Sequence, residues 1–251
     1  MENGIRPETL QQALHMRPGT IPIAGGTDLM VKFKSAQGTL PTNDRPFLFI
    51  AHLPELQGIR DNGDSISIGA AMPLNTIAES ELVPDDLKMA IRRMAAPNLR
   101  NIATIGGNVM NASPAGDTLP ILVARDARAV LMSENGKREM PIAELVNGPC
   151  TTCITHDEIL TEVIIPKKNF SHIKYRKLGT RKAMSLSKIS MLILADIADG
   201  TVRDIRIAIG AVAPVVVRSL DAEKYIIGKK VSELDIDSIV VMYEPMIRPI
   251  T

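Results

Sequence analysis

The stretch RNIATIGGNVMNASPAGDTLP, residues 100–120, consists largely of small, polar and turn-forming residues. It contains a Gly-Gly pair, several asparagines and no aromatic residue, and it lies between two apolar segments. Glycine has no Cβ, so a chain can turn sharply there and bring successive N–H groups close to a ligand. The composition therefore indicates a loop whose backbone lies against a partner.

A second Gly-Gly pair occurs in AGGTDL, residues 24–29, after a short apolar segment and before a helix start with Thr27 or Asp28 as candidate N-cap. N–H groups that point into one concavity, or that lie at a helix N-terminus, form an anion site, and two such loops could together hold a diphosphate. The alternative is that each pair only makes a turn. Neither loop matches G-x-G-x-x-G or G-x-x-x-x-G-K-[ST], so spacing alone does not name the ligand.

The composition of the whole chain is typical of a folded protein. Its 251 residues are 45% hydrophobic and 23% charged with a formal net charge of +1, which argues against disorder and against a nucleic-acid partner. The apolar runs are too short to span a membrane, and the N-terminus lacks a signal-peptide pattern. Two cysteines exclude a disulfide framework and fit a reducing compartment. We therefore expect a cytoplasmic protein without a membrane span.

The pattern along the chain changes near residue 170. Before it, strand-like and helix-like segments alternate. After it, HIKYRKLG, ISMLILADIA and VRDIRIAIGAVAP predict three strands followed by helices, which is typical of an α+β module with an antiparallel sheet. We predict boundaries near residues 53 and 168, which divide the chain into residues 1–52, 53–168 and 169–251.

The reactive side chains suggest no catalytic or metal site. Cys150 and Cys153 have the spacing of a metal or redox pair, but the chain has no further cysteines for a four-cysteine centre. They are therefore ordinary thiols, or else a redox pair or part of a site shared with another subunit. The four histidines are scattered and form no triad or ligand spacing. We expect no metal and no catalytic residue in this chain, and we assign the chemistry to a cofactor.

Two long segments resemble known signatures. IPIAGGTDLMVKFKS and RNIATIGGNVMNASPAGDTLPILVARDA resemble the paired flavin-binding signatures in the FAD subunit of molybdenum hydroxylases, the family of xanthine, carbon monoxide and nicotinate dehydrogenases. The resemblance continues in family order through GPCTTCITHDEILTEVIIP, YRKLGTRKAMSLSKIS and IRIAIGAVAPVVVRSLDAE, so it covers nearly the whole chain.

The resemblance implies a fold with mixed α and β structure. It is the FAD-binding fold of the vanillyl-alcohol-oxidase or p-cresol-methylhydroxylase (PCMH) type. Two α/β subdomains bind FAD between them, and a C-terminal α+β domain has a three-stranded antiparallel sheet. Because the chain ends at MYEPMIRPIT, we expect that last domain to be shortened.

The resemblance also implies which residues contact FAD, with the diphosphate resting on the two glycine loops. The implied contacts are Ile23, Ala24, Gly25, Gly26, Thr27, Asp28, Leu29, Met94, Ala95, Thr104, Gly107, Asn108, Asn111, Asp117, Ile154, Leu160 and Lys188.

Several of these residues have alternative roles. Asp117 is an acceptor for sugar or adenine donors, or it caps the helix at TLPILVA. Lys188 places a positive charge at the flavin pyrimidine edge, or it is an ordinary surface lysine. Thr104 and Asn111 have side chains that can donate to phosphate oxygens. Arg100, outside the implied set, either neutralises phosphate or forms a surface salt bridge.

As the resemblance implies, this subunit passes electrons within a molybdenum hydroxylase. A large molybdopterin-containing subunit oxidises the substrate, and a small subunit with two [2Fe-2S] clusters passes electrons to FAD here. NAD+ is the expected final acceptor, with oxygen, ferredoxin or a quinone as alternatives. The rival hypotheses are a non-catalytic assembly subunit of the same fold that holds FAD poorly, and a stand-alone flavin oxidoreductase.

Overall fold

Three main β-sheets follow one another along the chain. The computed structural model describes residues 4–33, 44–181 and 184–250. The first sheet is parallel, the second and third are antiparallel, and a two-stranded hairpin accompanies the second.

The N-terminal sheet has three short strands in the order β1-β3-β2. The elements are β1 (Gly4–Ile5), α1 (Leu10–Met16), β2 (Ile21–Ile23), α2 (Leu29–Lys32) and β3 (Phe47–Phe49). The hydroxyl of Thr9 caps α1 by accepting a hydrogen bond from Gln12 N at 3.2 Å. Leu14 on α1 packs with Leu48 on β3, as the apolar spacing of the predicted helix requires.

The middle sheet carries the largest core. Its five strands have the order β4-β5-β10-β6-β7. They are β4 (Ile59–Asp61), β5 (Ser65–Gly69), β6 (Arg128–Ser133), β7 (Gly136–Pro141) and β10 (Ile159–Pro166), and the hairpin is β8 (Val146–Gly148) with β9 (Thr151–Thr152). The helices are α3 (Leu74–Glu79), α4 (Asp85–Arg92), α5 (Pro97–Arg100), α6 (Ile105–Asn111), α7 (Leu119–Ala124) and α8 (Ile142–Leu145). The helix predicted from Pro84 corresponds to α4, whereas Pro97 begins α5 rather than only ending a helix, because proline is well suited to a first helical position.

The C-terminal sheet has four strands in the described chain, not the three predicted. These are β11 (His172–Gly179), β12 (Ser187–Ala198), β13 (Thr201–Gly210) and β14 (Val217–Arg218), and they pair in chain order. The three long strands agree with the prediction. The fourth has only two residues, too few to produce a periodic signal in the sequence. Helices α9 (Leu220–Ile226) and α10 (Ile236–Tyr243) follow.

Helix α7 joins the middle and C-terminal sheets. Its residues Ile121 and Leu122 share one buried core with Leu192 on β12. At its C-terminal end, Arg206 Nη1 donates to the Ala124 carbonyl at 3.0 Å and Arg218 Nη1 donates to another carbonyl, that of Val123. The last carbonyls of a helix lack hydrogen-bond partners within it. These two arginines of the C-terminal sheet supply donors to the last carbonyls of α7.

A buried ion pair strengthens the same region. Arg125 Nε lies 3.0 and 2.8 Å from the two carboxylate oxygens of Asp86 on α4, and Arg125 Nη1 donates to the Lys168 carbonyl. The two side chains are 6% and 0% exposed. The pair therefore holds together α4, the end of α7 and the segment that leads into β11.

No helix in the described part of the chain is long and apolar enough to cross a membrane.

The Arg138–Glu158 pair predicts an acid-sensitive contribution to stability. Hydrogen bonds from Arg138 and from Thr155 N lower the pKa of the Glu158 carboxyl to about 2. Because the folded-state pKa is lowered, this stabilisation is present at pH values above about 4.5 and is lost as the pH falls towards 2. We expect Glu158→Gln to lower the free energy of unfolding at pH 7 by about 1.5 kcal/mol, a modest value since Arg138 is partly exposed.

Urea unfolding between pH 7 and pH 3 measures the free energy of unfolding of the wild type and of Glu158→Gln. The difference between these two free energies should narrow below pH 4.5. Glu139→Gln is the matched control, since Glu139 lies on β7 with a side chain that is 37% exposed and only loose ion pairs. A free-energy difference that stays constant with pH would contradict the assignment of this stabilisation to the Glu158 carboxylate.

Candidate functional site

A cleft of about 500 Å³ is lined by residues of the N-terminal and middle parts of the chain and by residues 184–186 of the C-terminal part. This volume is within the range of about 300–1,000 Å³ that small-molecule sites occupy. Fourteen of the seventeen residues that the sequence implies as FAD contacts line it. They are Ile23, Ala24, Gly25, Gly26, Thr27, Asp28, Leu29, Met94, Ala95, Thr104, Gly107, Asn108, Asn111 and Asp117.

The first glycine loop lies directly against the backbone that precedes α6. A Cβ built at Gly25 would collide with the carbonyl oxygen of Ile102 and would lie 3.0 Å from Ala103 Cα. Gly26 has φ +67°, a conformation that other residues adopt with strain. One glycine therefore permits the close approach of the two loops, and the next permits the turn.

The backbone N–H groups of this loop differ from those of an ordinary helix start or strand. Within residues 4–33, 44–181 and 184–250, the N–H groups of residues 25–29 donate no hydrogen bond to the protein. The first bonded N–H after them is that of Met30, which donates to Gly26 O at 2.9 Å. Asp28 stands at the N-cap of α2, but its side chain makes no capping bond. N–H groups that have no acceptor among the described residues, on a loop that lines a cleft, are candidates for binding an anion.

The N–H groups of the second glycine loop are paired within the protein, which differs from the prediction. The N–H groups of Ile105 and Gly106 donate to the carbonyls of Met72 and Ala70. Those of Gly107 and Asn108 donate to the hydroxyl and the carbonyl of Thr104, which is the N-cap of α6. The first N–H groups of α6 are thus already paired within the protein, so they do not supply the phosphate donors expected there.

The two glycines of the second loop have separate roles. A Cβ at Gly106 would lie 2.6 Å from the Ala70 carbonyl oxygen, so Gly106 allows α6 to pack on the segment after β5. A Cβ at Gly107 would meet only the Thr104 hydroxyl within 4 Å. Gly107 therefore borders the open cleft, and any longer side chain there would extend into it.

Polar side chains of α6 connect the two walls of the cleft. Asn111 Nδ2 donates to Asp28 Oδ2 at 3.1 Å, and Asn111 Oδ1 accepts from Lys32 Nζ at 2.8 Å. Asn108 Oδ1 accepts a hydrogen bond of 2.5 Å from the Thr118 hydroxyl. In this structure Asn111 bridges the two loops rather than presenting both polar atoms to the cleft.

The Met94–Ala95 wall is held by Arg100. Nη1 of Arg100 donates to the carbonyls of Met94 and Ala95, each at 2.9 Å, and Ala95 has φ +46°. Within the described residues Arg100 donates to these carbonyls rather than to a carboxylate, so the predicted surface salt bridge is not found, and its role toward phosphate stays a prediction. It fixes a turn that forms part of the wall.

Side chains of the C-terminal sheet hold the Asp117 carboxylate by hydrogen bonds. Its carboxylate accepts hydrogen bonds from Lys177 Nζ and Ser187 Oγ, each at 2.6 Å, and a longer one of 3.4 Å from the Tyr175 hydroxyl. Burial, together with the negative charge of Asp117, raises the pKa of Tyr175, so this hydroxyl stays protonated as a donor. Asp117 does not cap α7, whose N-cap is Thr118.

Lys177 is the residue that the sequence analysis missed. Its side chain is 8% exposed, and it lies two residues after the buried Tyr175, on the same face of β11. Alternate residues of a strand share a face, so this spacing could have predicted that the Lys177 side chain is buried. Lys188, which the resemblance implied, is exposed on β12 and does not line the cleft, and its contact with flavin stays a prediction.

Ile154 and Leu160 also lie away from the cleft lining. Leu160 is 4% exposed on β10, opposite Leu131, and Ile154 packs against the same core. Both contribute to the middle core in this structure, and contact with flavin remains a prediction for them.

The cysteines and histidines show no metal centre. No group of three or more potential His, Cys, Asp or Glu ligands occurs in the described residues. Cys150 is exposed, and Cys153 is half-buried with Sγ 3.5 Å from the Glu144 carbonyl oxygen. His15 is paired with Glu134 at 3.0 Å.

Comparison with known proteins identifies the family of the chain. Residues 2–168 match the family model of the FAD binding domain in molybdopterin dehydrogenase, and residues 174–251 match that of the CO dehydrogenase flavoprotein C-terminal domain. The glyceraldehyde dehydrogenase medium chain of Sulfolobus acidocaldarius is 29% identical over 235 residues, covering 91% of this chain and 82% of the relative. The xanthine dehydrogenase FAD-binding subunit of Escherichia coli O157:H7 is 30% identical over 230 residues, 87% of this chain and 77% of that subunit.

The solved structure of carbon monoxide dehydrogenase from Hydrogenophaga pseudoflava has a chain that superposes on this one with a TM-score of 0.89. The two are 26% identical, and the match covers 98% of this chain and 87% of the other. Fold and matches together define an FAD-binding oxidoreductase subunit with the PCMH-type fold. The chain belongs to the family of medium, FAD-binding subunits of the molybdenum hydroxylases. The predicted family, fold type and cofactor are confirmed.

Gly107→Leu tests whether the second loop borders the cofactor. Its side chain would enter the cleft, so we expect FAD affinity to fall at least about 100-fold while the far-UV circular dichroism spectrum stays unchanged. Gly148→Leu is the control, because a Cβ at Gly148 on β8 meets only Thr151 at 3.6 Å and lies outside the cleft. Unchanged FAD content in Gly107→Leu would remove Gly107 from the site.

Lys177→Met tests the buried pair with Asp117. Removal of the ammonium leaves a buried carboxylate without its counter-charge, and we expect the free energy of unfolding to fall by about 3 kcal/mol in urea titrations. Lys174→Met on the exposed side of β11 should change it by less than about 0.5 kcal/mol. Adding Asp117→Asn to Lys177→Met should recover part of the loss, and no recovery would argue against charge as the cause.

Proposed function

We propose that this chain is the electron-transfer subunit of a molybdenum hydroxylase complex. Electrons pass from [2Fe-2S] clusters of a small partner subunit through FAD in this chain to NAD+ or another acceptor. A large partner subunit with a molybdopterin cofactor oxidises the substrate. The observation that carries the proposal is that residues 25–29, whose N–H groups have no acceptor among the described residues, line one cleft together with Gly107.

The cleft fits FAD in its shape and in its donors. The N–H row of residues 25–29 matches the need of a diphosphate for several short-range donors. Gly107 leaves the opposite wall open to an extended ligand. When bound, FAD supplies the ability to take up electrons singly and to release two together, while the protein supplies position and electrostatics.

The side chains of the cleft support electron transfer rather than acid–base catalysis. In the described chain the titratable groups that line it are Asp28, Lys32 and Asp117. All three are engaged in hydrogen bonds within the protein, and Asp117 is fixed by three donors. The described part of the cleft therefore offers no acid or base without a partner, and we assign substrate oxidation to the partner subunit.

Reconstitution with FAD tests the proposal. The purified chain should show flavin absorption near 450 nm after incubation with FAD and desalting, and the flavin released on denaturation should be FAD. A protein that stays colourless in excess FAD would favour the non-catalytic assembly subunit instead.

Anaerobic titration with NADH tests the identity of the acceptor. Reduction of the reconstituted chain by NADH, measured as loss of the 450 nm band, supports NAD+ as the physiological acceptor, since hydride exchange with a nicotinamide is reversible. A chain that is bleached by dithionite but not by NADH would point to oxygen, ferredoxin or a quinone.

A further inference from the structure

We infer that Lys32 is a phosphate ligand of the bound cofactor, a role that no sequence signature assigned to it. The inference rests on the proposed function and adds to it the side chain that neutralises the diphosphate. Lys32 ends helix α2, four residues beyond Asp28, and it lines the same cleft as the N–H row.

The charges around the cleft require a cation at this position. Among the lining residues in the described chain, Asp28 and Asp117 are anionic, and Lys32 is the one cation. The ammonium of Lys177 on β11 compensates the negative charge of Asp117. A diphosphate carries two negative charges, so entry beside Asp28 is electrostatically unfavourable unless the Lys32 ammonium accompanies it.

The present partner of Lys32 is easily replaced by phosphate. Lys32 Nζ donates to the amide oxygen of Asn111 at 2.8 Å, and that amide is neutral. A hydrogen bond from an ammonium to a phosphate oxygen joins two charged groups and is stronger than one to an amide. The ammonium has three donors, so it can also keep Asn111 while binding a second acceptor.

The bridge between the loops does not depend on Lys32. Asn111 Nδ2 donates separately to Asp28 Oδ2 at 3.1 Å, which still links α6 to the first loop when Lys32 is changed. The loss of the ammonium therefore removes charge from the cleft without removing the contact between its walls. Because Lys32 is exposed at the cleft wall, its attraction for phosphate should be screened by salt.

The test compares FAD affinity of the full chain at low and high salt by fluorescence titration. At 50 mM NaCl we expect Lys32→Met to bind FAD about tenfold more weakly than the wild type, and at 500 mM NaCl we expect the difference to shrink to about threefold. Lys32→Gln should behave like Lys32→Met, since it retains a donor for Asn111 but no charge. Lys224→Met, which removes a 77% exposed lysine on α9, should bind like the wild type at both salt concentrations.

The outcomes separate this inference from the function on which it rests. If the wild type binds FAD and the Lys32 variants bind it equally tightly, with the same salt dependence, the role of Lys32 is overturned. The proposed function is not affected by that result. A loss in Lys32→Met that Lys32→Gln restores shows that Lys32 only holds Asn111, and this also overturns the role of Lys32. Wild type that does not bind FAD overturns the proposed function and the inference together.

Discussion

The close approach of two backbone segments determines the shape of the cleft. Gly25 lies so near the Ile102 carbonyl and Ala103 Cα that no side chain fits between them. Since that contact joins the first loop to the segment before α6, it sets the separation of the two walls that the N–H row and Gly107 present to each other. A larger residue at position 25 would part the walls, and the cleft would lose its form before any ligand contact was changed.

The two glycine loops look alike in sequence but differ in their free hydrogen-bonding groups. Ala70 and Met72 accept the first N–H groups of α6, and Thr104 accepts the next two. The N–H groups of the first loop have no such acceptors among the described residues. One loop therefore supplies donors and the other supplies a smooth wall. This division suits an elongated anion held along one side.

The sequence predicted the features that local pattern determines. The Gly-Gly pairs, the long strands and the helix that begins at Asp85 all produce strong local signals, and most of the implied contacts line one cleft. The pairing of the Ile105 and Gly106 N–H groups could not be predicted, because it depends on acceptors from a segment some 35 residues earlier in the chain. The burial of Lys177 could have been predicted, since strand alternation places it on the same face of β11 as the buried Tyr175.

The C-terminal domain has a direct part in the site through Asp117. This carboxylate lines the cleft, yet all three of its donors, from Tyr175, Lys177 and Ser187, belong to β11 and β12. Separation of the C-terminal sheet from α7 would leave a buried charge without partners, which is strongly unfavourable. The docking of that sheet and the electrostatic state of the cleft are therefore coupled. A shift of β11 or β12 would therefore change the electrostatic field in the cleft through the hydrogen bonds to Asp117.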